Sequence, residues 1–178
     1  MTTDEPIIRA SSELWLSPIV EGDRDRCIEL INDREIERRM LKVPHPYGAA
    51  EFDQFLNVVR AATEEHGCPL HFAVRHSEHG MVGGFGFEAI TPGHQLEFGY
   101  WVGQRYWGRG YMTSVVRAAC QFAVSEWSVV RVIAHVFDGN EASARVLEKR
   151  GFQHEGLLRR RFLKGEALID AHLYAWLP

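Results

Sequence analysis

The tightest constraint in this sequence is a helix-period stretch set between two strand-like runs. After Gly110 the apolar residues Met112, Val115, Val116, Ala119, Phe122 and Ala123 fall on one stripe to about Ser125, which predicts an amphipathic helix. Gln95 to Val102 before it reads as a strand, and Val129 to Phe137 after it reads as a buried strand. A helix crossing between two strands of one sheet requires them to lie parallel. The runs Leu70 to Arg75, Met81 to Ile90 and Gln95 to Val102 are separated by His76-Ser77-Glu78-His79-Gly80 and Pro92-Gly93, which predicts an antiparallel meander. The expected fold class is therefore mixed α/β, an α+β sheet of about seven strands with a central parallel pair and about four helices.

The remaining segments fit that frame. Glu13 to Ser17 reads as a short strand, and Glu21 to Met40, carrying Cys27, Ile28, Leu30, Ile31 and Ile36, as one or two short helices closed by Pro44 and Pro46. Phe52, Phe55, Leu56, Val59 and Ala62 recur at spacings of three and four, which predicts a helix over Ala49 to Glu65 stopped by Gly67 and Pro69. Asn140 suits the N-cap of a helix over Glu141 to Arg150, with Gly151 as its left-handed terminator. Strands over Phe152 to Leu163 and Ala167 to Leu177 follow, joined by Lys164-Gly165-Glu166. No repeat, low-complexity tract or composition shift marks a boundary, so one domain over residues 1–178 is expected.

Composition then excludes whole classes of protein. With 178 residues, 46% of them hydrophobic and 25% charged, the chain is too apolar to be disordered and long enough to bury a core without staples. No run approaches the ~18–20 apolar residues that span a bilayer. Met1-Thr2-Thr3-Asp4-Glu5-Pro6 lacks a signal-peptide pattern, so a cytoplasmic location is expected. Cys27, Cys68 and Cys120 are odd in number and lack ligand spacing, which reads as small hydrophobes rather than a disulfide framework or a metal site. The net charge of −4 argues against a broad nucleic-acid face while leaving room for a local anion site.

The chemistry is concentrated in Leu96-Glu97-Phe98-Gly99-Tyr100-Trp101-Val102-Gly103-Gln104-Arg105-Tyr106-Trp107-Gly108-Arg109-Gly110-Tyr111-Met112. A strand ends there in a glycine-punctuated turn that opens straight into a helix. Such a turn lets successive amides converge at the positive end of a helix, a nest for phosphate, and Arg105 and Arg109 add charge. It is neither a P-loop nor a GxGxxG fingerprint. On the residues alone, an anion site and a tight turn with solvated arginines stand side by side.

Arg105-Tyr106-Trp107-Gly108-Arg109-Gly110 resembles the [Gln/Arg]-x-x-Gly-x-[Gly/Ala] acetyl-CoA signature of the GNAT N-acetyltransferase superfamily. Glu97 to Trp101 before it, and Asn140-Glu141-Ala142-Ser143 with Leu147-Glu148-Lys149-Arg150-Gly151-Phe152 after it, resemble the branch holding the ribosomal-protein N-terminal alanine and serine acetyltransferases. The resemblance runs from Glu13 to Leu173-Tyr174-Ala175-Trp176. It implies acetyl-CoA as cosubstrate, a primary amine as acceptor, and direct transfer through a tetrahedral intermediate with no metal.

Position by position, it implies that amides of Arg105, Tyr106, Trp107, Gly108, Arg109, Gly110, Tyr111 and Met112 hold the pyrophosphate. The two parallel strands would splay, and pantetheine would pair with the strand edge at Tyr100, Trp101 and Val102, whose amides can also hold an oxyanion. Glu97 is implied as the base, against the alternative of a surface carboxylate. Many relatives place a tyrosine where this chain has Leu147, so Ser143 is implied as donor to the departing thiolate, against a local helix-capping role. Asn140 is implied as a cofactor contact as well as an N-cap. The resemblance also allows a homodimer, and it includes relatives acting on peptide N-termini, amino acids, polyamines and antibiotics. The contrasting readings are a catalytically silent CoA-binding regulatory module and a nucleotide-binding domain of another kind.

Other residues read as structural. His76 and His79 flank a turn without a third ligand and read as solvated, while His71, His135 and His172 read as core or cleft histidines. Arg159-Arg160-Arg161 alternates along a strand, so it forms no continuous patch and reads as a solvated face, against the alternative of a substrate or 3′-phosphate contact. The glycines of Gly83-Gly84-Phe85-Gly86-Phe87 mark a bulge or a close backbone approach. Trp101 and Trp107 either shape a cleft or fill core.

Overall fold

A computed structural model describes residues 7–178; Met1–Pro6, where the sequence lacks a signal-peptide pattern, lie outside the described residues. Internal contacts divide the chain into two compact units, one formed by residues up to Gly86 with Tyr100–Tyr111, the other by Phe87–Gly99 with Met112–Pro178.

In the first unit, β1 (Ile8–Arg9) pairs antiparallel with β2 (Leu14–Pro18), and β2 with β3 (His71–His76). β3 pairs antiparallel with the start of β4 (Gly80–Thr91). A 3-10 turn, Glu21–Asp23, leads into α1 (Arg24–Ile31), followed by α2 (Arg34–Glu37) and α3 (Ala49–His66). Phe52, Leu56 and Val59 are the buried stripe of α3; Gly48 N–H donates to Glu51 Oε2 at 2.9 Å at its start, and Gly67 takes φ 69° at its end. Leu16, Ile36, Phe52, Phe72, Val74 and Val82 form the core of this unit. One ion pair is buried within it: Arg75 donates to both Asp23 carboxylate oxygens, at 2.8 and 3.0 Å, and to Ser17 Oγ at 2.6 Å.

The second unit holds most of α4 (Tyr111–Trp127), then β6 (Arg131–Phe137), α5 (Glu141–Lys149), β7 (Gln153–Lys164) and β8 (Ala167–Trp176). α4 buries Met112, Val115, Val116, Ala119, Cys120 and Ala123, the face expected from the periodicity. β5 (Gln95–Val102) pairs parallel with β6, as the crossover requires, while β6 with β8 and β8 with β7 are antiparallel. Hydrogen bonding follows the order β1-β2-β3-β4-β5-β6-β8-β7. Among the described residues, eight strands and five α-helices compare with the expected seven and four. The added strand, β1, is two residues long, too short to carry a period of its own.

The glycine run of β4 acts in both expected ways. Val74 faces Gly83 while Arg75 faces Met81, so Val82 is the extra residue of a bulge. A Cβ on Gly83 would also run into Trp101 O and approach Val102 Cα to 3.0 Å, and one on Gly84 would lie 2.5 Å from Trp101 Nε1. Gly83→Ala is accordingly expected to lower the melting temperature, with an overpacking cost of about 1–3 kcal/mol. Gly99→Ala, with nothing within 4 Å of its Cβ, should melt close to the parent. Equal melting of the two variants by calorimetry would refute the close-approach reading.

Two expectations need correction. His76 is buried at 5% exposure rather than solvated, because its ring stacks on His79 at 4.6 Å and tilts against Tyr111 at 5.1 Å. Arg159, Arg160 and Arg161 do not alternate. Leu158 pairs with Ala171 and Phe162 with Ile169, so the three arginines bulge out opposite Asp170 alone, with Arg160 at φ 52°.

Candidate active site

The turn between β5 and α4 lies in the first unit up to Tyr111. Val102 and Tyr106 are buried, Gln104–Tyr106 make one 3-10 turn, and Trp107 Nε1 donates to Val102 O at 2.7 Å, which pins the exposed turn to the strand end. Gly108 and Gly110 adopt φ 74° and 78°, conformations that cost an L-residue about 1–2 kcal/mol. These two positive angles turn the chain into the helix. Among the described residues, no hydrogen-bond acceptor is recorded for the amides of Gly108, Arg109 and Gly110. The first amides of α4, from Tyr111 and the buried Met112 onward, likewise lack intrahelical acceptors by helix geometry. Donors at a helix N-terminus, two of them on glycines, make a cradle for a compact anion.

The charges of this turn are partly committed. The Arg105 guanidinium is ion-paired with Glu29, and Arg26 holds the same carboxylate at 2.7 Å. The Arg105 and Arg26 hydrogen bonds hold the Glu29 carboxyl below its ordinary range. Arg26 also donates to Tyr106 Oη at 2.6 Å, and Arg39 covers the Trp107 ring at 5.1 Å. Tyr106 is therefore a supporting residue, and the expectation that its amide and that of Trp107 face an anion needs correction: Tyr106 N donates to Gly103 O at 2.8 Å and Trp107 N to Gln104 O at 3.1 Å, closing the 3-10 turn. Arg109 lies 5.7 Å from the Tyr106 ring centroid with no ion pair recorded among the described residues. Trp101 is half-buried over Gly83 and Gly84, and Tyr100 is also half-buried.

In the second unit, Glu97 stands on β5 at the last step of its ladder with β6. The parallel pairs run Gln95 with Arg131, Leu96 with Val132 and Glu97 with Ile133, and stop there although both strands continue. Phe98 and Gly99 thus leave β5 backbone outside that ladder. Glu97 is not a lone surface carboxylate. Its Oε1 lies 2.7 Å from His135 Nδ1, with side-chain exposures of 27% and 6%, and the imidazole packs edge-on against Phe162 at 5.3 Å. An ionised carboxylate can only accept, so Nδ1 is the donor of this pair. Sequence reading placed His135 only as a core or cleft residue; the partners are 38 positions apart, a separation that no local pattern bridges.

Asn140 and Ser143 are brought together by the start of α5. Asn140 Oδ1 accepts from Ser143 N at 3.4 Å, and Asn140 Nδ2 donates to Ser143 Oγ at 3.2 Å. Gly139, at φ 83°, makes the entry. No hydrogen bond links Glu97 to Ser143 among the described residues. Beside Asn140, a cleft of about 440 Å³ is lined by Asp138, Glu141, Arg145, Glu148, His172 and Tyr174. His172 Nε2 bonds Asp138 at 3.0 Å and its Nδ1 bonds His154 at 2.9 Å, so it is a satisfied cleft histidine.

Cys27 and Cys120 are buried, and burial pushes both thiols up to about 12, which keeps them protonated and non-nucleophilic at neutral pH. Among the described residues, no group of His, Cys, Asp or Glu is placed to hold a metal ion, and no helix is long and apolar enough to cross a membrane.

Known proteins are similar to this chain in sequence and in fold. The uncharacterized N-acetyltransferase YoaA of Bacillus subtilis is 33% identical over 96 residues, 53% of this chain and 54% of that protein, so this match spans about half of the relative. The uncharacterized N-acetyltransferase p20 of Bacillus licheniformis is 24% identical over 168 residues, 94% of each chain. The solved structure of RimL, a ribosomal L7/L12 alpha-N-protein acetyltransferase in complex with coenzyme A, superposes with a TM-score of 0.84 over 96% of this chain and 97% of its own at 18% identity, a likeness of fold. The profile described as acetyltransferase (GNAT) domain matches residues 13–153, most of the length, and the chain belongs to that family.

Proposed function

We propose that this protein is an acetyl-CoA-dependent N-acetyltransferase that transfers its acetyl group directly to a primary amine, with the whole chain acting as one catalytic domain in the cytoplasm. The observation that carries the reading is the Glu97–His135 pair: one carboxylate oxygen is held by a buried imidazole while, among the described residues, no partner is recorded for the other. An amine reaches its acceptor role only after losing a proton, and the open oxygen of Glu97 takes that proton directly or through a water. The cradle suits the donor, since Gly108, Arg109 and Gly110 offer amides for which no acceptor is recorded among the described residues, and two of the three carry no Cβ. Acetyl-CoA supplies the acyl group as a thioester, activated toward an amine.

In this reading the amides of Gly108, Arg109, Gly110, Tyr111 and Met112 bind pyrophosphate, with Arg105, Tyr106 and Trp107 serving as supports. The edge at Tyr100, Trp101 and Val102 receives pantetheine in the manner of an added strand. Asn140 contacts the cofactor, and Ser143 donates a hydrogen bond to the departing sulfur. Ser143 Oγ already accepts from Asn140 Nδ2, which leaves the hydroxyl proton uncommitted. The protonated Cys27 and Cys120 thiols favour direct transfer over an acyl-enzyme. Likeness to RimL supports a peptide N-terminus as the acceptor. The family resemblance carries a homodimer into the same reading.

The test follows thiol release from acetyl-CoA with a panel of N-terminal alanine and serine peptides, amino acids, a polyamine and an aminoglycoside, beside thermal melting with acetyl-CoA, ATP or NAD. Turnover with at least one amine is expected. Acetyl-CoA at 100 times its Kd should add about 2.7 kcal/mol of stability. Stabilisation by acetyl-CoA without turnover of any amine would leave a binding module, and equal stabilisation by ATP or NAD would overturn the cofactor assignment.

A further inference from the structure

Resting on the acetyltransferase reading, we propose that the arginine bulge of β7 selects amine acceptors that are acidic just beyond the reactive amine, namely the acidic N-terminal segment of a peptide or protein. The bulge is a built feature. Three residues, Arg159, Arg160 and Arg161, stand against the single residue Asp170 of β8, and Arg160 is held at φ 52° while its amide donates to Asp170 Oδ1 at 2.6 Å. A non-glycine residue in the left-handed region is a strained choice that persists only where its surroundings enforce it. Bulges of this kind re-aim side chains beside active sites. All three side chains are exposed, and among the described residues no ion pair is recorded for any of them.

The bulge adjoins the candidate base within the second unit. The Arg161 guanidinium lies over the Phe162 ring at 5.3 Å, and that ring packs edge-on against His135 at 5.3 Å. His135 in turn holds Glu97 at 2.7 Å. These three contacts are covered by about four residues of extended peptide, at about 3.3 Å each. In the proposal, an amine held at Glu97 brings residues three to five of its peptide to the guanidinium groups. Arginine recognises carboxylates through paired, parallel hydrogen bonds, and three exposed arginines for which no ion pair is recorded among the described residues complement an acidic segment. The chain's net charge of −4 disfavours a longer polyanion such as nucleic acid, whose binding relies on an extended basic face.

Three peptides with the same N-terminal alanine, bearing glutamate, glutamine or lysine at positions three to five, test this with the full-length protein. Wild type should show about tenfold higher kcat/KM for the glutamate peptide than for the lysine peptide, in keeping with a few exposed ion pairs. Raising salt from 50 to 500 mM should shrink that preference, because exposed charges are screened. In Arg159→Glu/Arg161→Glu the order of the two peptides should invert, with acetyl-CoA stabilisation in thermal melting confirming a folded variant. Should the variant not fold, the salt response of wild type decides. Equal kcat/KM for the three peptides would overturn the proposal, and equality together with an oligonucleotide bound by wild type but not the variant would reassign the bulge to nucleic acid. Stabilisation by acetyl-CoA with no turnover of any amine is a different failure, that of the acetyltransferase reading itself.

Discussion

Glu97→Gln should lower kcat by about 100- to 10,000-fold, the range that a positioned general base contributes. Glutamine keeps the length of the side chain and a carbonyl oxygen that can still accept from His135 Nδ1, so the packing of the imidazole against Phe162 should survive. What it removes is the capacity to take a proton. The loss should be greatest where the acceptor is an ammonium and should shrink as pH rises toward the amine's own pKa, since a growing fraction then arrives neutral. Acetyl-CoA stabilisation in thermal melting should match wild type, because the cradle amides of Gly108 to Gly110 belong to other residues. A kcat within threefold of wild type at neutral pH would remove Glu97 from the mechanism.

The largest stability effect is expected at Asp23. Its carboxylate accepts from Arg75 at two positions and from Val20 N at 3.0 Å, and the Arg75 and Asp23 side chains are only 9% and 7% exposed. Removing one partner of a buried pair strands the other charge, at a cost of about 3–5 kcal/mol. For a chain of this length, each kcal/mol moves the melting temperature by about 2–4 °C. Asp23→Ala should therefore melt roughly 6–20 °C lower than the parent. Asp23→Leu/Arg75→Met, which removes both charges, should recover a substantial part of that loss, since an apolar replacement of similar volume is often neutral or better. If the double variant melts below Asp23→Ala, packing around Ser17 rather than the stranded guanidinium sets the cost.

What the sequence made legible is what repeats locally. The apolar stripe of α4, the Pro92-Gly93 turn, the Asn140 cap and the position of β5 each depend on neighbours within a turn or two, and the structure places them where periodicity and turn chemistry expect. The parallel pairing of β5 with β6 was legible for a topological reason, because a helix intervenes. Pairings across distance were not. Glu97 meets His135, Arg105 meets Glu29 and Arg75 meets Asp23 across 38, 76 and 52 positions. A histidine before a turn reads as solvated, yet His76 is buried by His79 and Tyr111, whose rings arrive from the same hairpin and from the head of a later helix. Strict alternation failed at Arg159 to Arg161 because a bulge is decided by the partner strand, here through the Asp170 carboxylate.

That bulge also answers a hazard created by the sheet itself. β1 ends one side with two residues, but β7 closes the other with a strand of twelve, and its neighbouring exposed apolar side chains include Leu157, Leu163 and Leu168. A long, regular strand in that position would be an open template for a strand from another molecule. Interrupting its ladder between Leu158 and Phe162 and planting three cations there shortens the regular template, so a neutralising replacement of the arginines is expected to lower the solubility of the protein.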